Sequence, residues 1–430
     1  MSLPRTRRRA AALIATAAAL VVTACTAESK DDAGQAASGA PMPRIAPGVT
    51  DTTIKIGIAY PDYEAIKAYV KIDPLPTEDI YNALIKKIND SGGINGRKIV
   101  PVYGKLNMIS PASAQETCVK LTEDEDVFAV LGAFNTDQPL CYVQTHETAL
   151  IGGPLPKKTY ALAQAPWFSE LQGGDELDKG VGLLAANGQL AGKRVAVMSN
   201  VADQAQMKDH VIPALQALGI TPVETGVLDA PAQDAAAVAQ QMGVFIQKFQ
   251  SSNVDTVLSV GYVSGVLLPA LEKSKFRPRL MLTEPLAAAT FLRSPGQHDL
   301  AMFNGAAAVG FDIPWNDPGT QECVATVSAA IPTIKDKLVD PDSVPADKPA
   351  PDDSPRTACR NLALFKAIAE KAGRDLNYET FQNAGFTLGT FDLPTYTAPA
   401  TYTRDTPNGA VPQQFFVFDP ALRTFVLPKS

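Results

Sequence analysis

Side chains that could catalyse a reaction are scarce in this chain and lack the spacing of known active sites. Its three histidines are His146, His210 and His298, too few for a histidine-rich metal site. No HExxH or GxSxG motif occurs. Residues 188–194 (GQLAGKR) fall one residue short of a phosphate-binding loop. The pattern favours a protein that is not an enzyme and that uses neither a metal nor a cofactor.

One early loop places polar side chains together. Tyr60, Asp62 and Tyr63 come at the end of a predicted strand, 54–60. Two tyrosine rings beside a carboxylate can hold a cationic or polar group. The loop is therefore a candidate to contact a ligand, although a solvated loop explains it equally well.

Cys25 closes an N-terminal segment that is typical of export. Four arginines within residues 5–9 precede an apolar run, 10–22, which is shorter than the roughly 20 residues of a membrane-spanning helix. This order predicts a signal peptide over residues 1–24. Residues 22–25 (VTAC) resemble the lipobox of bacterial lipoproteins, which implies cleavage before Cys25 and a lipid on its thiol. An ordinary signal peptide cut nearby is the alternative.

Residues 25–50 are predicted to be the lipidated cysteine followed by a flexible tether. They are small, polar and dotted with proline, so they cannot bury enough apolar surface to fold. A lipid at one end and a globular body at the other predict a protein anchored to the outer face of the cytoplasmic membrane.

The other four cysteines are Cys118, Cys141, Cys323 and Cys359. An even number in an oxidising compartment favours two disulfides, and the absence of CxxC argues against a zinc or redox site. Three pairings are possible. We favour Cys118–Cys141 and Cys323–Cys359 because each pair is close in sequence, with buried free thiols as the alternative.

Strands alternate with amphipathic helices along the rest of the chain. Residues 54–60 (IKIGIAY) have the alternation of a strand, and residues 77–90 have apolar side chains at helical spacing. The pattern begins afresh after about residue 165, with strands at 194–199 and 254–260. Such alternation predicts two doubly wound α/β lobes with parallel sheets. Ligands of open α/β sheets bind beyond the carboxyl ends of the strands.

Composition and charge exclude two further classes. The chain of 430 residues is 46% hydrophobic and 19% charged, which fits a folded protein and not a disordered one. Its net charge is −7, and without the first 24 residues 34 Lys and Arg face 45 Asp and Glu. Nucleic-acid binding is therefore not expected, since it requires a basic surface.

Residues 51–58 (DTTIKIGI) and 88–99 (INDSGGINGRKI) resemble the branched-chain amino-acid-binding family. This family comprises type I periplasmic solute-binding proteins of ABC importers. The most specific part is 92–97 (GGINGR), a helix stop and turn before an edge strand; a generic Gly-Asn turn is its alternative. The resemblance continues through 127–132 and covers about residues 51–425.

The resemblance implies two lobes joined by a three-crossing hinge that closes on a ligand. Lobe 1 would comprise 51–168 plus 314–384, and lobe 2 would comprise 169–313 plus 385–430. The implied function is to capture a small polar ligand, amino-acid-like or bearing an amine or amide, and to deliver it to an ABC permease in the membrane. We expect a monomer. A ligand sensor for a membrane signalling protein and a secreted enzyme stay as alternatives.

The resemblance also implies ligand-binding residues from both lobes. In lobe 1, hydroxyl and backbone N–H groups follow the strands ending at Gly132 and Gly152. In lobe 2, Tyr262 would stack on the ligand and Glu284 would receive an ammonium group. The implied set is Tyr63, Phe134, Asn135, Thr136, Gly153, Gln204, Tyr262 and Glu284.

Two departures from the family argue against a standard amino acid as ligand. The serine-rich run common in amino-acid binders is missing, and Asp137 would repel a carboxylate. Four of the implied residues also have a simpler explanation: Asn135 and Thr136 as helix caps, Tyr262 as a core residue and Glu284 as a solvated loop residue.

Replacing Cys25 with Ser is expected to release the protein from the membrane fraction, because the lipid anchor requires the thiol. Detergent phase partitioning should place the wild-type protein and a Ser29→Ala control in the detergent phase and Cys25→Ser in the aqueous phase. Identical partitioning of all three would contradict lipidation at Cys25.

Overall fold

The structure is a computed structural model. It describes residues 46–66, 72–107, 110–134, 138–153, 155–170, 177–231, 234–293, 297–311, 313–345 and 348–428. The predicted signal peptide, Cys25 and the tether up to residue 45 lie outside the described residues. Within the described ranges, no helix combines the length and the apolar character needed to cross a bilayer.

The strands follow one another in short segments. They are β1 (Thr53–Pro61), β2 (Ile72–Asp73), β3 (Lys98–Leu106), β4 (Ala129–Gly132), β5 (Ala149–Ile151), β6 (Trp167–Phe168), β7 (Val195–Asn200), β8 (Glu224–Leu228), β9 (Thr256–Ser259), β10 (Arg279–Leu282), β11 (Ala307–Gly310), β12 (Ala350–Pro351), β13 (Gly389–Phe391), β14 (Ala400–Tyr402), β15 (Gln414–Asp419) and β16 (Thr424–Val426).

The helices separate most of these strands. They are α1 (Tyr63–Ile66), α2 (Thr77–Asp90), α3 (Pro111–Val119), α4 (Gln138–Leu140), α5 (Lys157–Tyr160), α6 (Leu177–Ala186), α7 (Gln204–Gln206), α8 (Ile212–Ala217), α9 (Ala235–Ser251), α10 (Ser264–Lys273), α11 (Pro285–Arg293), α12 (Pro318–Ala330), α13 (Ser354–Ala372) and α14 (Tyr378–Phe386).

The first sheet has the strand order β3-β1-β4-β5-β6 and is parallel throughout. Ile54, Ile56 and Ile58 of β1 are fully buried and belong to a core that α2, α13 and α14 also enter. β3 lies at the edge of the sheet. Its Pro101 favours this position, because proline has no backbone N–H to donate to a neighbouring strand.

The second sheet has the order β16-β15-β11-β10-β9-β7-β8. Strands β7 to β11 are parallel, and β15 joins β11 in the antiparallel sense. Helices α9, α10 and α11 pack on one face of this sheet and α6 and α8 on the other. Two parallel sheets with helical cover confirm the predicted doubly wound α/β fold class.

The chain changes sheets at three places. The first two changes follow β6 and β11. At the third, Leu393, Tyr402 and Val411 still pack in the first core, whereas Phe416 packs in the second. The chain therefore passes from the first core to the second after Val411. The short β13–β14 hairpin, which has no clear alternation in sequence, holds this segment on the first lobe.

The first change of sheets contains a buried carboxylate, Glu170, which is 1% exposed. The Asn361 amide, with its nitrogen turned toward Glu170, donates to the two carboxylate oxygens at 2.8 and 2.9 Å. Tyr396 Oη donates to the Glu170 carbonyl at 3.0 Å, and Tyr402 Oη to the Ser169 carbonyl at 3.0 Å. The junction is therefore held by side chains from two distant parts of the chain, α13 and the segment that contains Tyr396 and Tyr402.

Burial raises the pKa of the Glu170 carboxyl to about 7, and the charge of Arg360 offsets part of this rise. A carboxyl whose pKa is higher in the folded protein than in the unfolded chain destabilises the folded protein progressively as the pH rises through that interval.

Two disulfides fasten the first lobe. Cys118 is bonded to Cys141 and Cys323 to Cys359, with Cα atoms 6.4 and 6.3 Å apart. These are the two pairings favoured from the sequence. The first ties α3 to the turn after α4, and the second joins α12 to α13, the helices that cover the sheet.

Glu170→Gln is expected to raise the free energy of unfolding by roughly 1 to 3 kcal/mol at pH 8 and to have little effect at pH 5, because the carboxyl is already protonated there. Thermal unfolding at both pH values measures the difference, with the exposed Glu116→Gln as control. The same gain at pH 5 and pH 8 would show that Glu170 is not the titrating group.

Candidate functional site

Three neighbouring strands of the second sheet, β7, β9 and β10, end at the same edge because they are parallel. The loops that follow them carry Asp203, Tyr262 and Glu284. Residues that are far apart in the sequence therefore meet at the edge where α/β proteins bind ligands.

Asp203 joins the loop after β7 to the loop after β9. Its Oδ2 accepts a hydrogen bond from the Tyr262 backbone N–H at 3.2 Å. Its own backbone N–H donates to Asn200 Oδ1 at 2.8 Å. Burial raises the pKa of the Asp203 carboxyl, while the bonds from Tyr262 and Asn200 oppose that rise.

Gly261 makes this approach possible. Its φ is +67°, and a Cβ at this position would overlap the Asp203 carboxylate. Its backbone N–H donates to Thr283 Oγ1 in the loop after β10 at 2.9 Å. Only glycine adopts this backbone conformation without strain and also leaves room for the carboxylate.

The side chains of Tyr262 and Glu284 lie near each other and interact electrostatically. Glu284 Oε1 accepts from the Leu286 N–H at 3.0 Å, at the start of α11. Loss of hydration and the nearby charges of Glu284 and Asp203 raise the pKa of Tyr262 to about 12. The Tyr262 side chain is nevertheless 59% exposed, so much of its ring is open to a ligand.

No cation neutralises this pair of acids among the residues that the structure describes. Burial raises the pKa of the Glu284 carboxyl, and the charge of Asp203 raises it further. Neither Asp203 nor Glu284 is in contact with a lysine, arginine or histidine. Two mutually repelling carboxylates in a partly dehydrated site are stabilised by an added positive charge. The second lobe can therefore bind an ammonium group.

Glycines line the matching edge of the first sheet. A Cβ at Gly132 would overlap the Ala59 carbonyl, and a Cβ at Gly152 would overlap the Gly132 carbonyl. The ends of β1, β4 and β5 thus lie in close backbone contact. Trp167 Nε1 donates to the Gly152 carbonyl at 2.8 Å, which fixes the position of this edge.

The structure describes only some of the ligand residues predicted in the first lobe. Asn135 and Thr136 lie outside the described residues. Gly153 has φ +77° and its Cβ would lie 3.3 Å from the Phe134 Cβ. Phe134 is only 3% exposed and its ring packs on Tyr142 with centroids 5.2 Å apart, so it supports the loop more than it offers surface to a ligand.

Tyr63 lines a separate cavity of about 310 Å³ with Tyr60, Asp62 and Glu78. Burial, together with the charges of Asp352 and Asp353, raises the pKa of Tyr63 to about 12. Tyr60 Oη donates to a Glu78 carboxylate oxygen. The tyrosines and the acid of the predicted loop therefore lie together around one small cavity.

The resemblance suggests Gln204 as a ligand residue, but in the structure its neighbour Asp203 makes the contact with the loop after β9. Gln204 begins α7, and the described structure shows no side-chain bond from it to Tyr262 or Glu284. Asp203, one residue earlier, makes the contact with Tyr262. The signal in the sequence is an acid shortly after one strand, Asp203, and a glycine-tyrosine pair after another strand, Gly261 and Tyr262.

One group of side chains has metal-like spacing in the described ranges, comprising Cys118, Cys141 and His146. Both sulfurs are engaged in the disulfide, so they are not available as thiolate ligands.

Gly261→Ala is expected to lower the free energy of unfolding by about 1 to 3 kcal/mol, because alanine is strained at this φ and its Cβ would displace Asp203. Gly265→Ala in α10 is the matched control: its Cβ would meet open space, and alanine should stabilise the helix by up to about 1 kcal/mol. Denaturant unfolding compares the two. Equal effects would contradict the close approach of Asp203.

Comparison with known proteins places these features in a family. A model of the family described as periplasmic binding protein matches residues 53–420. No curated protein sequence matches the chain.

Solved structures share the fold at low sequence identity. A periplasmic binding protein type 1 from Bordetella pertussis Tohama I has a TM-score of 0.61 and 15% identity, covering 87% of this chain and 99% of that one. An ABC transporter substrate-binding protein from Desulfitobacterium hafniense in complex with Leu has a TM-score of 0.59 and 14% identity, covering 87% and 99%.

A third structure extends the range of ligands in this fold. The solute-binding protein of an ABC transporter from Rhodopseudomonas palustris BisB5, in complex with 3,4-dihydroxy benzoic acid, has a TM-score of 0.60 and 15% identity and covers 87% of this chain and 95% of that one. The family match and these likenesses confirm the resemblance found in the sequence. The chain belongs to the periplasmic binding protein family and is a solute-binding protein with the type I two-lobed fold.

Proposed function

We propose that this protein is the exported receptor of an ABC importer and that it captures a small solute carrying an ammonium group. The observation that carries the proposal is the pair of unneutralised carboxylates, Asp203 and Glu284, at the ligand-binding edge of the second sheet. A bound ammonium group would make charge-assisted hydrogen bonds with them and remove their mutual repulsion.

Tyr262 completes the second-lobe half of the proposed site. It lies close enough to Glu284 for the carboxylate to raise the pKa of its hydroxyl, so its exposed ring lies beside the acids. An aromatic face next to two carboxylates adds a cation–π contact to the ion pairs. Together these groups favour a cation over a neutral solute of the same shape.

The first lobe would bind the remainder of the solute. Its edge presents closely packed backbone at Gly132 and Gly152, and we propose that the loops carrying Phe134 to Thr136 and Gly153 contact the solute there. Tyr63 and its cavity would contact a substituent that extends toward the first loop.

Membership of the family implies an exported protein. The lipobox before Cys25 and the polar segment after it support lipid anchoring to the outer face of the cytoplasmic membrane. We propose that the anchored protein acts as a monomer without a cofactor and passes its solute to a permease. Solute-binding proteins of ABC transporters with the same fold, such as the leucine complex from Desulfitobacterium hafniense, support delivery to a transporter over an enzymatic role.

Glu284→Gln and Asp203→Asn are each expected to weaken amine binding by roughly 10- to 100-fold, the effect of losing a hydrogen bond to a charged group. Binding should also weaken in the wild-type protein as the pH falls through the raised pKa values, because the protonated carboxyls lose their charge. The measurement is thermal unfolding with amines and with the corresponding alcohols; a solute at one hundred times its dissociation constant adds about 2.7 kcal/mol.

The same two variants should raise the melting temperature of the ligand-free protein at neutral pH. A carboxyl with a raised pKa destabilises the folded state once it ionises, and a neutral amide removes this effect. The exposed Asp178→Asn serves as control for both readouts. Amine binding that survives both substitutions, or stabilisation by alcohols equal to that by amines, would refute the ammonium site.

A further inference from the structure

A large groove opens between α9 and α10 and has a volume of about 1220 Å³. It reaches the carboxyl ends of β7 and β8, where Asn200 and Leu228 line it. Its floor includes Met242 and Ile246 of α9, which are 1% and 7% exposed. The groove is therefore an extension of the second-lobe edge with a predominantly apolar floor.

Its rim exposes several apolar side chains. Val201, Val244, Val266 and Tyr262 all line the groove, and they are 57%, 56%, 36% and 59% exposed. A contiguous exposed apolar surface marks a binding site more often than scattered apolar residues do.

Two glycines keep the groove wide. Gly243 on α9 and Gly265 on α10 line it, and a Cβ at either position would point into open space. Neither has a positive φ, so their backbones are ordinary helix. Since glycine weakens a helix by up to about 1 kcal/mol relative to alanine, their presence on both walls favours a role in leaving space.

The groove is continuous with the candidate ammonium site. Asn200 and Tyr262 line the groove and also contact Asp203 through the hydrogen bonds described above. Lys273 lines the groove at the far end of α10. The ten residues of α10 span about 15 Å at 1.5 Å per residue, so negative charge at one end and positive charge at the other are separated by a long apolar channel.

We propose that this groove binds the apolar tail of an amphipathic amine whose ammonium head lies between Asp203 and Glu284. The charges set the direction, because Lys273 repels an ammonium group and the two acids attract it. This inference rests on the proposed function and specifies its ligand: an amine with an extended hydrocarbon chain.

The test is calorimetric titration of the full-length protein with a series of linear alkylamines from butylamine to dodecylamine, below their micelle-forming concentrations. Each methylene buried in the groove should tighten binding about fourfold, which corresponds to 0.8 kcal/mol per methylene. Gly243→Leu and Gly265→Leu fill the groove while favouring the helix, and should abolish this dependence on chain length without affecting butylamine. Gly182→Leu on α6, where a Cβ also meets open space, is the matched control.

The outcomes separate this inference from the proposed function. Butylamine binding with no gain from longer chains, or a gain that survives both leucine substitutions, overturns the groove proposal and leaves the ammonium site standing. Failure of every amine to bind overturns both. A gain per methylene that the two leucine substitutions remove, and that Gly182→Leu retains, establishes the groove as the tail site.

Discussion

The proposed site depends on two carboxylates, Asp203 and Glu284, that the fold brings close together without supplying a positive charge. Each is partly dehydrated, and the charge of Asp203 raises the pKa of Glu284. A folded protein tolerates such an arrangement at a cost in stability, since a solvated pair far apart would be more favourable. In the proposed function a bound cationic solute offsets this cost, so the energy of the ligand-free state favours binding.

Several structural features serve this arrangement. The parallel order β7-β9-β10 sets the three loops side by side, Gly261 removes the Cβ that would push Asp203 away, and Tyr262 lies beside Glu284. On the other lobe, glycines at the ends of β4 and β5 bring backbone to the facing edge. Glu170 at the first change of sheets is a second example. Its buried carboxylate accepts hydrogen bonds from the Asn361 amide, while burial raises its pKa.

Much of the fold follows from the sequence, because parallel sheets require apolar strands and helices in strict alternation. The resemblance to the family suggested Tyr262 and Glu284, and the structure places both in loops that follow neighbouring parallel strands. The sequence suggested Gln204 and not Asp203. The direction of a side chain in a loop depends on the local backbone conformation, and only the structure shows that Asp203 faces the loop at Gly261. The β13–β14 hairpin could not be predicted from the sequence because tertiary packing of Tyr402 and Leu393 holds this segment on the first core, which leaves no periodic signal.

The most direct test of the central claim is the number of protons released when an amine binds. It is obtained by calorimetry in buffers of different ionisation enthalpy, from mildly acidic to neutral pH. If Asp203 and Glu284 receive the ammonium group, binding lowers their raised pKa values, and protons are released at mildly acidic pH but not at neutral pH. Amine binding without proton release anywhere in this range would contradict the account.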